Sequence, residues 1–199
     1  MKFYHFGDKS SPDILLLETD FHVACVAYGC SLGGSFVGLL VQRKKIHIDQ
    51  AILGSSDLDQ DPTWKAKLKC AIAIPLLHKI VSTGEYPKVL QGLMEKKRTP
   101  YRDKFMALFG IGNGGLPFIQ RESVYNQFYS DLITTLDDNI FAYGTTIHCL
   151  YAAMMGEKYL QRYQRHFKDP IIHYKDMLHE ELLVCHPKEW SEEVRRICE

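Results

Sequence analysis

The chain has no excess charge of either sign: across 199 residues, 24 Lys and Arg offset 24 Asp and Glu. Nucleic acids and anionic membrane surfaces are bound through surplus positive charge, so neither is an expected partner. The basic clusters "QRKK" and "MEKKR" are short and read as solvated helix ends. No uninterrupted apolar run reaches the roughly 18 residues of a membrane span. The segment "MKFYHFGDKSSPD" has no apolar stretch of signal-peptide length, and a cytoplasmic location is the expectation. The six cysteines, at 25, 30, 70, 149, 185 and 198, show no CxxC or finger spacing. That excludes a zinc finger and points to thiols in a reducing compartment rather than a disulfide framework. No His, Cys and carboxylate set has ligand spacing on one element, so neither metal nor cofactor is expected. The glycine-rich "FGIGNGGLPF" (109–118) lacks the Gly-Lys-Ser/Thr of a phosphate loop and reads as a turn or hinge.

What is present is an ordinary globular composition, 46% hydrophobic and 24% charged, in a chain long enough to bury a real core. Five short apolar runs read as strands: "DILLL" (13–17), "FHVACVAYG" (21–29), "HIDQAILG" (47–54), "TTIHCLYAAM" (145–154) and "PIIHYKD" (170–176). Their apolar residues are continuous rather than alternating, as in a parallel sheet buried on both faces. Helical patterns at 35–45, 156–167 and 187–199 separate or follow them. The alternation argues an α/β fold with a doubly wound, mostly parallel sheet flanked by helices. Residues 61–143 interrupt it with four helical stretches and read as an inserted helical cap. The expected organisation is a core of 1–60 and 144–199 around that insertion.

One motif carries chemistry. Gly29-Cys30-Ser31-Leu32-Gly33 follows the strand "ACVAY" and precedes the helical "GSFVGLLVQRKK". Gly-x-Ser-x-Gly in that setting makes a sharp strand-to-helix turn that presents a serine at the strand's carboxyl end. Glycines two residues before and after it are required where strand packs against helix with no room for side chains. A serine hydroxyl needs a general base, and a base from a loop after the last strand suits it. His179, in "KDMLHEELL" directly after "PIIHYK", occupies such a loop. His22, His47, His148 and His173 fall in or at strands, and His5, His78, His166 and His186 lie in less suitable segments. Cys30 beside the serine reads as a core residue rather than a thiol nucleophile.

These residues, with the helical insert and "DMLHEELLVCHPKEW", resemble the α/β-hydrolase fold, in particular small bacterial hydrolases of the esterase/lipase type. The resemblance implies Ser31 as nucleophile, His179 as base, and the Leu32 backbone N–H as an oxyanion donor. It also implies a carboxylate that orients the histidine. Where relatives carry an aspartate in a Gly-x-x-Asp pattern, Gly156-Glu157-Lys158-Tyr159 places a tyrosine. Asp57 or Asp59 in "GSSDLDQD" is the first candidate, and Glu157 the alternative. Relatives also have an oxyanion loop, two helices and a strand between the strand matching "DILLL" and the serine's strand. Here Leu17 runs almost directly into "ETDFHVACVAYGCSLGG", leaving no obvious second oxyanion donor. The sheet would also lose covering helices, which favours a homodimer. The expected function is serine hydrolysis of a small or medium ester or related acyl substrate. The alternative is a hydrolase-type scaffold that binds a ligand or partner without turnover.

Overall fold

The computed structural model describes residues 25–58 and 60–199, together with the strands Lys2–Phe3 and Leu16–Glu18. The expected "DILLL" and "FHVACVAYG" strands therefore fall partly outside the described residues. Two compact units divide the chain: Met1–Gln60 with Thr134–Glu199, and Asp61–Ile133. The segment 134–143, which the sequence groups with the insertion, contributes Leu136 and Ile140 to the core of the first unit.

The first unit is built on a six-stranded sheet, β1 (Lys2–Phe3), β2 (Leu16–Glu18), β3 (Val26–Cys30), β4 (Gln50–Gly54), β5 (Thr146–Ala152) and β6 (Ile171–Lys175), in that spatial order. β3 through β6 are parallel, and β1 and β2 are antiparallel additions at the β3 edge. Because the parallel strands follow one another in a single direction, right-handed crossovers place their connecting helices on the same face. α1 (Leu32–Arg43) joins β3 to β4, and α6 (Glu157–His166) joins β5 to β6. Val37, Val41, Tyr163 and Phe167 accordingly pack with Ala27, Ala51, Leu53, Cys149 and Tyr151 in one cluster. Each fully buried aliphatic side chain there contributes roughly 1.5–3 kcal/mol.

The other sheet face is covered from beyond the last strand, by α7 (Glu181–Cys185) and α8 (Pro187–Cys198). Ile52 and Leu150 pack against Leu182 and Ile197, and Trp190 Nε1 donates to the Tyr28 hydroxyl at 2.9 Å. Helices thus flank both faces as expected. The four parallel strands nevertheless contain no reversal of strand order of the kind a doubly wound sheet carries.

A polar chain lies between this face and α8. His148 Nε2 is 2.9 Å from Gln50 Oε1, His148 Nδ1 3.0 Å from His173 Nε2, and His173 Nδ1 3.0 Å from Glu193 Oε1. Lys175 Nζ then donates to Glu193 Oε2 at 2.8 Å. Burial pushes the Glu193 carboxyl up, but Lys175, Arg196 and His173 outweigh it and hold the group below the usual carboxylate range. Burial, with His173 beside it, pulls His148 below the ordinary imidazole value, so its neutral form is favoured.

The second unit is helical: α2 (Thr63–Thr83), α3 (Lys88–Lys96), α4 (Pro100–Leu108) and α5 (Arg121–Ile133). α2 and α5 form its core, with Ala66, Cys70 and Ile74 against Leu132. No helix among the described residues is long and apolar enough to cross a membrane.

The polar chain sets a pH dependence. An unfolded histidine takes up its proton near 6.5, whereas folded His148 resists it until lower pH. Folding stability therefore falls as pH drops below about 6.5, by up to about 1.4 kcal/mol per pH unit. Loss of the Glu193 interactions adds to this below about 4.5, the ordinary value of its carboxyl. Denaturant unfolding at pH 7.0, 6.0 and 5.0 should show this slope in the wild type and a smaller one in His148→Asn.

Candidate functional site

Ser31 stands between the last residue of β3 and the first of α1, with φ 53° and ψ −121°. A non-glycine residue in that region costs on the order of 1–3 kcal/mol, so its surroundings must impose it. They do so on both sides. The Ser31 N–H donates to the Gly54 carbonyl at 2.8 Å, extending the β3–β4 ladder one residue beyond the strand. The Gly34 N–H donates to the Ser31 carbonyl at 3.0 Å, closing the first helical turn.

The glycines divide unequally. A Cβ on Gly29 would lie 2.1 Å from the Gly33 carbonyl oxygen, so only glycine allows β3 and α1 to meet this closely. At Gly33 a Cβ would meet nothing within 4 Å, which corrects the expectation that this position is sterically required. The crowded glycine is Gly34, whose Cβ would fall 1.7 Å from Ser56 Oγ. The helix begins at Leu32 rather than near residue 35, and this turns Gly34 toward the end of β4.

His179 sits in the turn after β6. Glu180 takes a left-handed conformation, φ 60°, and Glu181 Oε2 accepts from the Leu178 N–H at 2.8 Å. The Met154 N–H donates to the Met177 carbonyl at 3.2 Å, tying this turn to the end of β5. So held, His179 Nε2 lies 3.1 Å from Ser31 Oγ.

Asp57 follows β4 in a short loop with two left-handed residues, Ser55 and Leu58. α6 grips this loop: the Tyr163 hydroxyl donates to the Ser56 carbonyl at 2.7 Å, and the Arg162 guanidinium donates to the Asp57 carbonyl. Leu58, 2% exposed, anchors its far end in the core. Asp57 Oδ1 is then 3.7 Å from His179 Nδ1, an ion-pair separation longer than a hydrogen bond. Such pairs often tighten only once a substrate is bound.

Ser31, His179 and Asp57 are thus brought together. Glu157 opens α6 in the first turn, where the helix dipole favours an acid. Asp59 lies outside the described residues. Leu32 is the first residue of α1, so its N–H is one of the four without an intrahelical acceptor and lies next to the serine. The Cys30 thiol is pushed well up by burial, aided by the Glu180 carboxylate, and stays protonated. Among the described residues no group of three His, Cys, Asp or Glu could hold a metal. Gly34, Ser56, Arg162 and Tyr163 were not candidates from the sequence. Only the doubled Gly33-Gly34 hinted at the first.

β2 runs antiparallel to β3 and pairs Leu17 with Val26, so its carboxyl end lies at the opposite end of β3 from Ser31. The carboxyl end of β2 itself therefore brings no N–H beside the serine.

Neither a protein-family model nor a curated protein matches the chain. Solved structures do. One, described as an alpha/beta hydrolase family protein from Desulfitobacterium hafniense, superposes with a TM-score of 0.59 at 16% identity over 87% of this chain and 68% of its own. A hydrolase from Pseudomonas aeruginosa PA01 gives 0.53 at 14% identity over 85% of this chain and 63% of its own. The chain spans about two thirds of the length of each. It has an α/β-hydrolase fold.

The glycine asymmetry is testable by thermal unfolding. Gly29→Ala and Gly34→Ala should each lose roughly 1–3 kcal/mol through overpacking, several degrees in midpoint. Gly33→Ala should match the wild type or exceed it slightly, since alanine is the better helix former.

Proposed function

We propose that the chain is a serine hydrolase acting on a small or medium ester or related acyl compound. The observation that carries this reading is the 3.1 Å approach of His179 Nε2 to Ser31 Oγ on a strained strand-to-helix turn. In the proposed mechanism His179 takes the hydroxyl proton as Ser31 Oγ attacks the substrate carbonyl carbon. The Asp57 carboxylate stabilises the resulting imidazolium and sets the ring's orientation. The Leu32 N–H donates to the oxyanion, with the amino-terminal end of α1 behind it. His179 then returns the proton to the leaving alkoxide, and a water molecule repeats the sequence on the acyl-enzyme. Acyl transfer to another acceptor would use the same groups.

The short run from Leu17 into the serine's strand, with no obvious oxyanion loop, favours a second reading, a scaffold that binds a ligand or partner without turning it over. One oxyanion donor fewer costs on the order of 10²–10³ in rate.

A fluorophosphonate probe and a short-chain p-nitrophenyl ester separate the two. Hydrolysis predicts stoichiometric labelling of the wild type and none of Ser31→Ala. It also predicts a fall of at least about 10³-fold in ester turnover for Ser31→Ala and His179→Ala. A folded wild-type protein that neither labels nor turns over ester leaves the binding reading.

A further inference from the structure

The helical unit contains a cleft of about 420 Å³ between α3, α4 and the glycine-rich segment, within the size range of ligand sites. Its wall is rigid. A Cβ on Gly84 would lie 2.3 Å from the Gly115 nitrogen, and one on Gly115 would lie 2.4 Å from the Gly84 nitrogen. "FGIGNGGLPF" is therefore a turn packed onto the end of α2, within the turn-or-hinge reading of its sequence.

Four charged side chains line the cleft, and three satisfy one another. Arg98 Nε donates to both Asp103 oxygens, at 3.1 and 2.9 Å, and its Nη1 lies 3.5 Å from Glu95 Oε1. Arg102 has no carboxylate partner among the described residues. Its Nη2 reaches only Met94 Sδ at 3.9 Å, and its Nε is buried without a hydrogen-bond partner. The Tyr86 hydroxyl, also lining the cleft, is likewise buried and unpartnered. Arg102 stands in the first turn of α4, where its own N–H donates to the Thr99 cap at 3.2 Å. A cation there opposes the helix dipole, and an anion would relieve both faults.

The cleft also limits which anion fits. The Gly112 N–H donates to the Gly84 carbonyl at 2.9 Å and the Asn113 N–H to the Gly110 carbonyl at 3.0 Å, so these loop amides are not offered to a phosphate. One uncompensated guanidinium matches one negative charge. A dianion would face the Asp103 and Glu95 carboxylates with charge to spare. Met94, Met106 and Ile111 supply apolar lining.

We propose that this cleft binds an organic monocarboxylate, its carboxylate on Arg102 and Tyr86 and its hydrocarbon body against Met94, Met106 and Ile111. The site belongs wholly to the helical unit and does not depend on the reading of Ser31.

Calorimetric titration of the full chain with hexanoate tests it, with hexanamide as the neutral analogue. One hexanoate site is expected, with hexanamide and Arg102→Met each at least about tenfold weaker and Tyr86→Phe several-fold weaker. Ser31→Ala should bind as the wild type does. Absence of hexanoate binding, equal binding of hexanamide, or loss of binding in Ser31→Ala overturns the proposal. Retention in a folded Arg102→Met does the same. If Arg102→Met does not fold, the hexanamide comparison and Tyr86→Phe decide.

Discussion

The close approach of Gly29 to the Gly33–Gly34 peptide governs the rest of the site. With a 2.1 Å gap where a Cβ would stand, β3 must turn into α1 within a single residue, and that residue is Ser31. Its positive φ is thus imposed by packing, held by the bonds from Ser31 to Gly54 and from Gly34 to Ser31. The serine's direction, the start of α1 and the placing of the Leu32 N–H are one geometric event. In the proposed mechanism, a turn fixed in this way places Ser31 Oγ without reorganisation at the moment of attack.

The partners of the serine are held from different parts of the chain. His179 is positioned by a turn whose own acid, Glu181, satisfies the backbone ahead of it. Asp57 is positioned through its main chain, by Arg162 and Tyr163 of α6, rather than through its side chain alone. α6 therefore does two tasks, covering one face of the sheet with Tyr163 and Phe167 and fixing the loop beyond β4.

Local features were readable from the amino-acid sequence. Apolar runs marked β4, β5 and β6, and a glycine before a serine between strand and helix marked the turn. Position after the last strand singled out His179. The requirement at Gly34 was hidden because it depends on α1 starting three residues before the amphipathic pattern does. The grip of Arg162 and Tyr163 on residues 56 and 57 spans more than 100 residues and leaves no periodic trace. An apolar run reveals a strand but not its direction, so the antiparallel course of β2 was invisible. Likewise, a string of glycines looks the same whether it bends freely or is locked against Gly84.

The sheet is closed from two ends of the chain at different times. The face packed by α1 and α6 can be completed once residue 167 has been made. Tyr28, Ile52 and Leu150 on the other face wait for Trp190 and Ile197 of α8. At synthesis rates of about 5–20 residues per second, that face stays bare for some seconds while its neighbour is already sealed. His148 spends the same interval in water, where it takes up a proton more readily than it does once burial favours its neutral form. α8 thus covers this face of the core and completes the burial that favours a neutral His148.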